Sequence, residues 1–268
     1  MPYADVNGLS MYYEVHGGGG AAPLVLIHGG FGLGAEFAPI LPGLTEGRTV
    51  VTVDLQGHGH TVDIDRPLSP ELMADDVAAL VRHLDLERAD VMGYSLGGYV
   101  ALQTAIRHPR LVRRLAIVSI PFKRDGWYPS VLAQHEHFGA DAAEAMKQSP
   151  VYAAYRAANP RVENWDALVA KTGESMRRDF DYTGQTTAIE CPVLLVYADA
   201  DAIRYEHIVE VLRCFGGGRG DPGWDGSGGR GTAQLAVIPG TTHYDLGVSP
   251  KTVAAVVPFL DRDLPAGR

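Results

Sequence analysis

The chain has 268 residues, 46% of them hydrophobic, which is enough for a sizeable buried core in one large or two small domains. Acidic side chains outnumber basic ones by 32 to 23, and the formal net charge is −9 at pH 7. Because nucleic acids and anionic membranes bind basic faces, this charge argues against both as partners. The N-terminal residues do not have the pattern of a signal peptide, and no apolar run reaches the roughly 18 residues of a membrane span. We therefore expect a soluble cytoplasmic protein.

Strand-like and helical patterns alternate along residues 1–120. In chain order, they predict strands at 9–14, 24–27 and 49–53, a helix at Pro70–His83, a strand at 89–93, a helix at 97–107 and a strand at 115–119. The run at 49–53 is apolar on both faces, which is typical of an interior strand in a covered sheet. Strands that alternate with helices pair in parallel and carry helices on both faces, so the pattern predicts an α/β fold.

The pattern changes between residues 121 and 189. There, helical stretches at 140–147, 151–158 and 164–178 follow one another with no strand between them. We interpret this segment as a helical insert, too short for an independent domain, in a core domain formed by residues 1–120 and 190–268. The alternation resumes with a strand at 193–197, a helix at 206–215, a strand at 234–238 and a helix at 250–260.

Residues 216–231 contain nine glycines, a composition that forms no packed element. A phosphate-binding glycine loop follows a strand and opens a helix, whereas this stretch follows a predicted helix and precedes a strand. We therefore predict a surface loop, away from the strand ends that carry chemistry.

The residues Gly93-Tyr94-Ser95-Leu96-Gly97 join a predicted strand to a predicted helix and match the pattern G-x-S-x-G. In such a sharp turn the central residue adopts a strained backbone, and the residues two before and two after it lie too close for side chains. Glycine at both positions meets this requirement. The turn would hold the Ser95 hydroxyl at a helix N-terminus, where N–H groups favour a developing negative charge. The alternative is a plain turn in which Ser95 only caps the helix.

A serine hydroxyl is a weak nucleophile and needs a base within hydrogen-bond reach and an anion that orients the base. His243 leaves the last predicted strand at its carboxyl end, at the same edge as Ser95, and is the predicted general base. Two carboxylates follow the strand at 193–197, and strand alternation lets only one of them point at His243. We favour Asp201, which lies further into the loop. Asp199 stays open as the alternative, with turn capping as its other role.

Tetrahedral intermediates of acyl transfer require N–H donors aimed at the developing oxyanion. The Leu96 N–H, directly after the nucleophile, is one predicted donor. The glycine-rich run at 28–32 lets the backbone approach a substrate closely, and we assign the second donor to the Gly30 N–H, with Phe31 as the alternative. The side chains of Phe31 and Tyr94 stand beside these donors and are predicted to form walls of the substrate pocket.

The other histidines are given structural or solvent roles. His28 is expected to fix its own loop by hydrogen bonds, and five further histidines are expected to be solvated: His83, His108, His135, His137 and His207. The run at 54–61 combines an aspartate with two histidines, but tight-turn chemistry explains it. We therefore expect no metal site and no cofactor.

Five motifs together resemble the α/β-hydrolase family: HGGFG at 28–32, DLQGHGHT at 54–61, GYSLGG at 93–98, ADAD at 198–201 and PGTTHY at 239–244. The resemblance covers essentially the whole chain. It implies an eight-stranded, mostly parallel sheet, a triad of Ser95, Asp201 and His243, an oxyanion hole from Gly30 and Leu96, and a lid at the helical insert. The acid motif of the family usually begins with glycine rather than Ala198, which is why Asp199 stays open.

The resemblance implies a cofactor-independent serine hydrolase that cleaves a small carboxylic ester or lactone through an acyl-enzyme. Relatives that open epoxides or displace halide carry aspartate where this chain has Ser95, so both activities are disfavoured. Carbon–carbon bond hydrolysis, thioesterase activity and perhydrolysis stay compatible with the same residues. A binding protein without catalysis is the alternative of a different class. The sequence does not decide the oligomeric state, and a homodimer stays open.

Overall fold

A computed structural model describes residues 2–221, 223–225 and 231–262. Parts of two predictions fall beyond these ranges. Residues 222 and 226–230 of the predicted glycine-rich loop lie outside the described residues, as do residues 1 and 263–268 of the predicted core domain.

The described residues form one eight-stranded sheet in the order β1-β2-β4-β3-β5-β6-β7-β8. β1 and β2, and β2 and β4, pair antiparallel, and all other neighbours pair in parallel. This confirms the predicted α/β fold with a mostly parallel sheet. The strands are β1 Tyr3–Val6, β2 Leu9–Gly17, β3 Ala21–Ile27, β4 Arg48–Val53, β5 Ala89–Tyr94, β6 Val112–Val118, β7 Val193–Ala200 and β8 Ala233–Thr242.

Helices cover both faces of the sheet because its central strands are apolar on both sides. In β3, Val25 and Ile27 pack with α2, α3 and α8, whereas Leu24 and Leu26 pack with α1 and α9 on the opposite face. No described helix is long and apolar enough to cross a membrane. The helices are α1 Leu41–Leu44, α2 Pro70–His83, α3 Leu96–Arg107, α4 Pro129–Glu136, α5 Ala140–Met146, α6 Pro150–Ala158, α7 Trp165–Arg177, α8 Tyr205–Cys214 and α9 Pro250–Asp261.

The segment between β6 and β7 carries the four helices α4 to α7. It packs around Trp165, whose indole N–H donates to the Ala143 carbonyl at 3.0 Å and whose side chain is 1% exposed. Three ion pairs between described residues join this segment to the rest of the chain: Lys123 with Glu210, Lys171 with Asp63 and Arg178 with Glu71. We refer to residues 121–189 as the cap segment.

Three short elements escape the sequence patterns. β1 has four residues and is paired to β2 through the tight turn at Asn7 and Gly8, both with positive φ. α1 has four residues, two of which are proline and glycine. α4 buries none of its residues, so it has no apolar stripe to reveal it. β7 and β8 also run further than predicted, because they stay paired up to Ala200 and Thr242.

Candidate active site

Four neighbouring strands are each followed directly by a polar residue at the same edge of the sheet. Ser95 follows β5, Ser119 follows β6, Asp201 follows β7 and His243 follows β8. Because these strands are adjacent and parallel, their carboxyl ends lie side by side. The four side chains meet in one hydrogen-bonded series.

Ser95 occupies the sharp turn between β5 and α3 with φ 51° and ψ −119°. L-residues rarely adopt this backbone, and the surrounding structure must hold it in place. The Ser95 N–H donates to the Val118 carbonyl of the next strand at 3.0 Å. A Cβ at Gly93 would collide with the Gly97 carbonyl, and a Cβ at Gly97 would collide with the Ile27 carbonyl. Both glycines are therefore required by this turn.

His243 reaches Ser95 from the end of β8. Its Nε2 lies 3.1 Å from the Ser95 Oγ, and its residue is 8% exposed. The Tyr94 hydroxyl donates to the His243 backbone carbonyl, which fixes the main chain at the base of the imidazole. The Trp127 ring meets the imidazole edge-on, with centroids 5.4 Å apart. These contacts hold the imidazole against the Ser95 hydroxyl.

Asp199 and Asp201, the two carboxylates that follow the predicted strand at 193–197, occupy different environments. Asp201 Oδ1 lies 3.3 Å from His243 Nδ1, and the carboxylate accepts from the N–H groups of Ala198 and Ala202 at 2.9 and 2.8 Å. Asp199 lies within β7 and accepts from the N–H groups of Gly240 and Thr241, which lower its pKa. The structure therefore places Asp201 beside the imidazole and Asp199 in a backbone-binding role.

Ser119 is a member of the site that the sequence patterns did not single out. Its Oγ lies 2.7 Å from His243 Nδ1 and donates to the two Asp201 carboxylate oxygens at 2.8 Å each. The residue is fully buried and has φ 56°, a strained backbone for serine. A polar residue directly after the strand next to β5 was the available signal, because it had to lie at the same edge as Ser95.

The glycine-rich loop after β3 lies against the Ser95 turn. A Cβ at Gly29 would lie 3.0 Å from the Tyr94 ring and 3.4 Å from the Ser95 Cβ. His28 fixes this loop, since its Nδ1 bonds the Gly29 carbonyl at 2.6 Å and its Nε2 accepts from the Leu55 N–H at 3.0 Å. Burial lowers the pKa of His28 to about 4, so the imidazole is neutral and structural.

A cavity of about 560 Å³ lies in front of Ser95, a volume usual for small-molecule sites. Gly30, Phe31, Tyr94 and Leu96, which were assigned to the oxyanion hole and the pocket walls, all line it together with Ser95 and His243. Four aromatic side chains of the cap segment also line the cavity: Trp127, Phe138, Phe180 and Tyr182. The cavity is therefore bounded by both the core and the cap segment.

Charged groups in the cavity wall come from both parts of the chain. Arg178 of the cap segment lines the cavity, and its guanidinium donates to both oxygens of Glu71 at 2.8 and 2.7 Å. Although partial burial acts to raise the pKa of Glu71, hydrogen bonds from Arg178 and Ser69 lower it to about 2. Glu36 also lines the cavity. Partial desolvation, and to a smaller extent the nearby Asp54 carboxylate, raise the pKa of Glu36 to about 7.

Two of the histidines that were expected to be solvated, His207 and His135, are instead turned into the protein. His207 is fully buried: its Nε2 accepts from the Phe122 N–H at 2.9 Å, and its Nδ1 bonds Glu210. The prediction that it is solvated is wrong, because its helix α8 turns that side chain inward under the cap segment. His135 lines the cavity beside Trp127, and burial lowers its pKa.

The run at 54–61 forms a tight turn held by Asp54. Its carboxylate accepts from the Gly34 N–H at 2.7 Å and the His60 N–H at 2.8 Å. Within the described ranges, no three or more His, Cys, Asp or Glu side chains are grouped so that they could hold a metal ion.

Comparison with protein-family models matches residues 22–168, just over half of the chain, to the family described as alpha/beta hydrolase fold. The chain belongs to the alpha/beta hydrolase fold family. Family membership accounts for the G-x-S-x-G turn and for the order in which the serine, acid and histidine strands occur.

Among known α/β hydrolases, the chain is 35% identical over 147 residues to the sn-1-specific diacylglycerol lipase ABHD11 of Danio rerio. It is 34% identical over 109 residues to the 2-hydroxymuconate semialdehyde hydrolase of a Pseudomonas species. These matches cover 52% and 39% of this chain, and the chain spans only 42% and 38% of those relatives' lengths.

The similarity to solved α/β-hydrolase structures extends over nearly the whole chain. The enol-lactonase from Burkholderia xenovorans LB400 superposes with a TM-score of 0.72, over 97% of this chain and 100% of that chain. At 24% identity, this likeness shows the fold alone. Because the names of these similar proteins refer to different substrates, the family does not define the substrate of this chain.

Proposed function

We propose that the chain is a cofactor-independent serine hydrolase that cleaves a carboxylic ester or lactone through an acyl-enzyme, with Ser95 as nucleophile. The observation that carries the proposal is the 3.1 Å distance between Ser95 Oγ and His243 Nε2 at the wall of the cavity. A base within hydrogen-bond reach of a hydroxyl at the wall of an apolar cavity is what acyl transfer requires.

In the first half-reaction, His243 Nε2 takes the Ser95 proton while Oγ attacks the substrate carbonyl carbon. The N–H groups of Gly30 and Leu96 are assigned to the oxyanion of the tetrahedral intermediate. When the intermediate collapses, the imidazolium returns the proton to the leaving alcohol oxygen and the acyl-enzyme forms. In the second half-reaction, His243 takes a proton from water as the water oxygen attacks the acyl carbon; the bond from that carbon to Ser95 Oγ then breaks, the imidazolium returns the proton to Oγ, and the acid is released.

The imidazole can accept the Ser95 proton at Nε2 only if its own proton is on Nδ1. That N–H then donates to the Ser119 Oγ, whose O–H donates to Asp201. Asp201 accordingly stabilises the imidazolium, partly through the hydroxyl of Ser119. The cap segment is proposed to shape the substrate pocket, since four of its aromatic side chains line the cavity. The proposed partner is a small molecule, in keeping with the net charge of −9.

A carbon–carbon bond hydrolase is the second candidate, because the 2-hydroxymuconate semialdehyde hydrolase is among the similar proteins. The same nucleophile and base would serve that reaction, so the two candidates differ only in the substrate accepted. A carbon–carbon hydrolase turns over a vinylogous diketone far better than a simple ester. A pure binding protein on this fold would turn over neither.

The test is a panel of p-nitrophenyl esters of graded acyl length, several lactones and a vinylogous diketone. Ester or lactone hydrolysis should fall by about three orders of magnitude in Ser95→Ala. Ser10→Ala is the matched control, because Ser10 is exposed on β2 and lies outside the cavity lining. An organophosphate should label the wild type at Ser95. Ester hydrolysis that survives in Ser95→Ala would refute the assignment, and preference for the diketone would favour the second candidate.

A further inference from the structure

We propose that this site favours substrates without a carboxylate, and that Glu36 is the residue that discriminates against acidic substrates. The inference deepens the proposed function and rests on it, because it names the class of ester or lactone that the Ser95 cavity accepts. Its basis is the set of charges that face the cavity.

Glu36 lies in the turn Gly34–Phe37, directly after the loop assigned to the oxyanion hole. It lines the same cavity as Ser95 and Tyr94, and it keeps contact with solvent, which places it at the mouth. Its Oε2 lies over Gly32, where an added Cβ would come within 2.5 Å of it. The carboxylate therefore stands beside the backbone that a bound ester must approach.

No cation in the described part of the chain forms an ion pair with Glu36. The only arginine among the cavity-lining residues is Arg178, and both arms of its guanidinium are occupied by Glu71. A substrate carboxylate would have to displace Glu71 to gain this partner. Arginine usually binds a carboxylate through two parallel N–H donors of its guanidinium, and Glu71 blocks this mode of binding at Arg178.

The described residues of the cavity wall consequently present one carboxylate without an ion-pair partner and no free permanent cation to a substrate. A second carboxylate about 8 Å from Glu36 in a half-solvated site is disfavoured by about fivefold relative to a neutral group. The remainder of the wall is largely aromatic and aliphatic, and it suits an uncharged acyl or alcohol group.

Several ionisable groups surround Glu36 and set when it carries charge. Asp54, directly after β4, raises the pKa of Glu36. Burial raises the pKa of Tyr94, the last residue of β5, and the nearby carboxylates, Glu36 among them, add to this effect. His243 lines the same cavity from the end of β8. The Glu36→Gln variant keeps His243 and the other ionisable groups of the cavity wall, so a difference in the ratio between this variant and the wild type isolates Glu36.

The experiment compares a straight-chain p-nitrophenyl ester with the same ester carrying a terminal carboxylate. We expect the ratio of kcat/KM, carboxylate over neutral, to fall as pH rises through about 7 in the wild type, because Glu36 becomes charged. In Glu36→Gln the ratio should rise about fivefold at high pH and lose this pH dependence. In Glu36→Lys the carboxylate ester should become the better substrate.

Glu46→Gln is the matched control, because Glu46 is exposed and lies outside the cavity lining. Its ratio should equal that of the wild type at each pH. A ratio that is unchanged in both Glu36 variants overturns the role of Glu36 and leaves the ester hydrolase standing. A wild type that prefers the carboxylate ester overturns the substrate class. If neither ester is hydrolysed in a Ser95-dependent way, the proposed function itself fails.

Discussion

The Nδ1 of His243 lies 2.7 Å from the Ser119 hydroxyl and 3.3 Å from the nearest oxygen of Asp201. The imidazole therefore contacts the serine more closely than the carboxylate, and the serine in turn donates to that carboxylate. In the proposed hydrolase, Ser119 is a positioning residue that acts through His243.

Removing the Ser119 hydroxyl should lower kcat about tenfold with little change in KM, because a buried hydrogen bond of about 1.4 kcal/mol is lost. Ser119→Ala and Ser119→Gly are the matched pair. Both lose the hydroxyl, but glycine also relieves the positive φ at this position. The two variants should therefore lose similar activity while Ser119→Gly is the more stable in urea. A purely structural role would instead make kcat follow stability, and the pH profile of kcat would not move.

Asp201→Asn should lower kcat by roughly three to four orders of magnitude, because the variant loses the carboxylate that orients the imidazole and stabilises the positive charge of the imidazolium. Asp199→Asn is its matched control, because Asp199 bonds the backbone of Gly240 and Thr241 and does not touch His243. Steady-state kinetics on a single ester compares the two. A larger loss in the Asp199 variant would reverse the assignment of the acid.

Two tyrosines with buried hydroxyls should respond oppositely to removal of the hydroxyl. The Tyr99 hydroxyl is buried and makes no hydrogen bond of normal geometry with any described residue. Burial raises the pKa of Tyr99, and the nearby Trp127 acts to lower it. Tyr99→Phe should therefore leave the free energy of unfolding unchanged or raise it. Tyr197 donates to the Ile120 carbonyl at 3.0 Å, so Tyr197→Phe should cost about 1 kcal/mol. Urea denaturation measures both, and an equal loss in the two variants would contradict the prediction.

Stability should fall between pH 7 and pH 5 because of two buried imidazoles. Burial lowers the pKa of His28 to about 4 and that of His58 to about 3, while both titrate near 6.5 in an unfolded chain. Below about pH 6.5 the unfolded chain binds protons that the folded chain does not, so stability is full above that pH and is lost as pH falls. Each imidazole should cost about 2 kcal/mol at pH 5. Urea denaturation of Glu36→Gln at pH 7 and pH 5 measures this loss without the opposing contribution of Glu36, whose raised pKa stabilises the folded chain as pH falls. Equal free energies of unfolding at the two pH values in that variant would show that these rings are not buried as described.

Much of the fold could be predicted because its strands are apolar runs and its larger helices carry an apolar stripe. Ser95, Asp201 and His243 could be found because each lies in a recognisable motif at a strand end. No motif marks Ser119 or Glu36, and their roles depend on which strands and turns are neighbours in space; the place of Ser119 directly after a strand was its one signal. His207 was misjudged for a similar reason: the start of a helix tells nothing about what later folds over it.

The hydrogen-bonded series consists of Ser95, His243, Ser119 and Asp201. Each of the four residues follows a different one of four adjacent strands. The spacing of about 4.8 Å between neighbouring strands sets the distances between the strand ends, and the turns that follow the strands bring the four side chains together. A slip of one residue in any of those strands would turn its terminal side chain to the opposite face. Catalysis should accordingly vanish in the same cooperative step as the sheet on heating, rather than decline gradually beforehand.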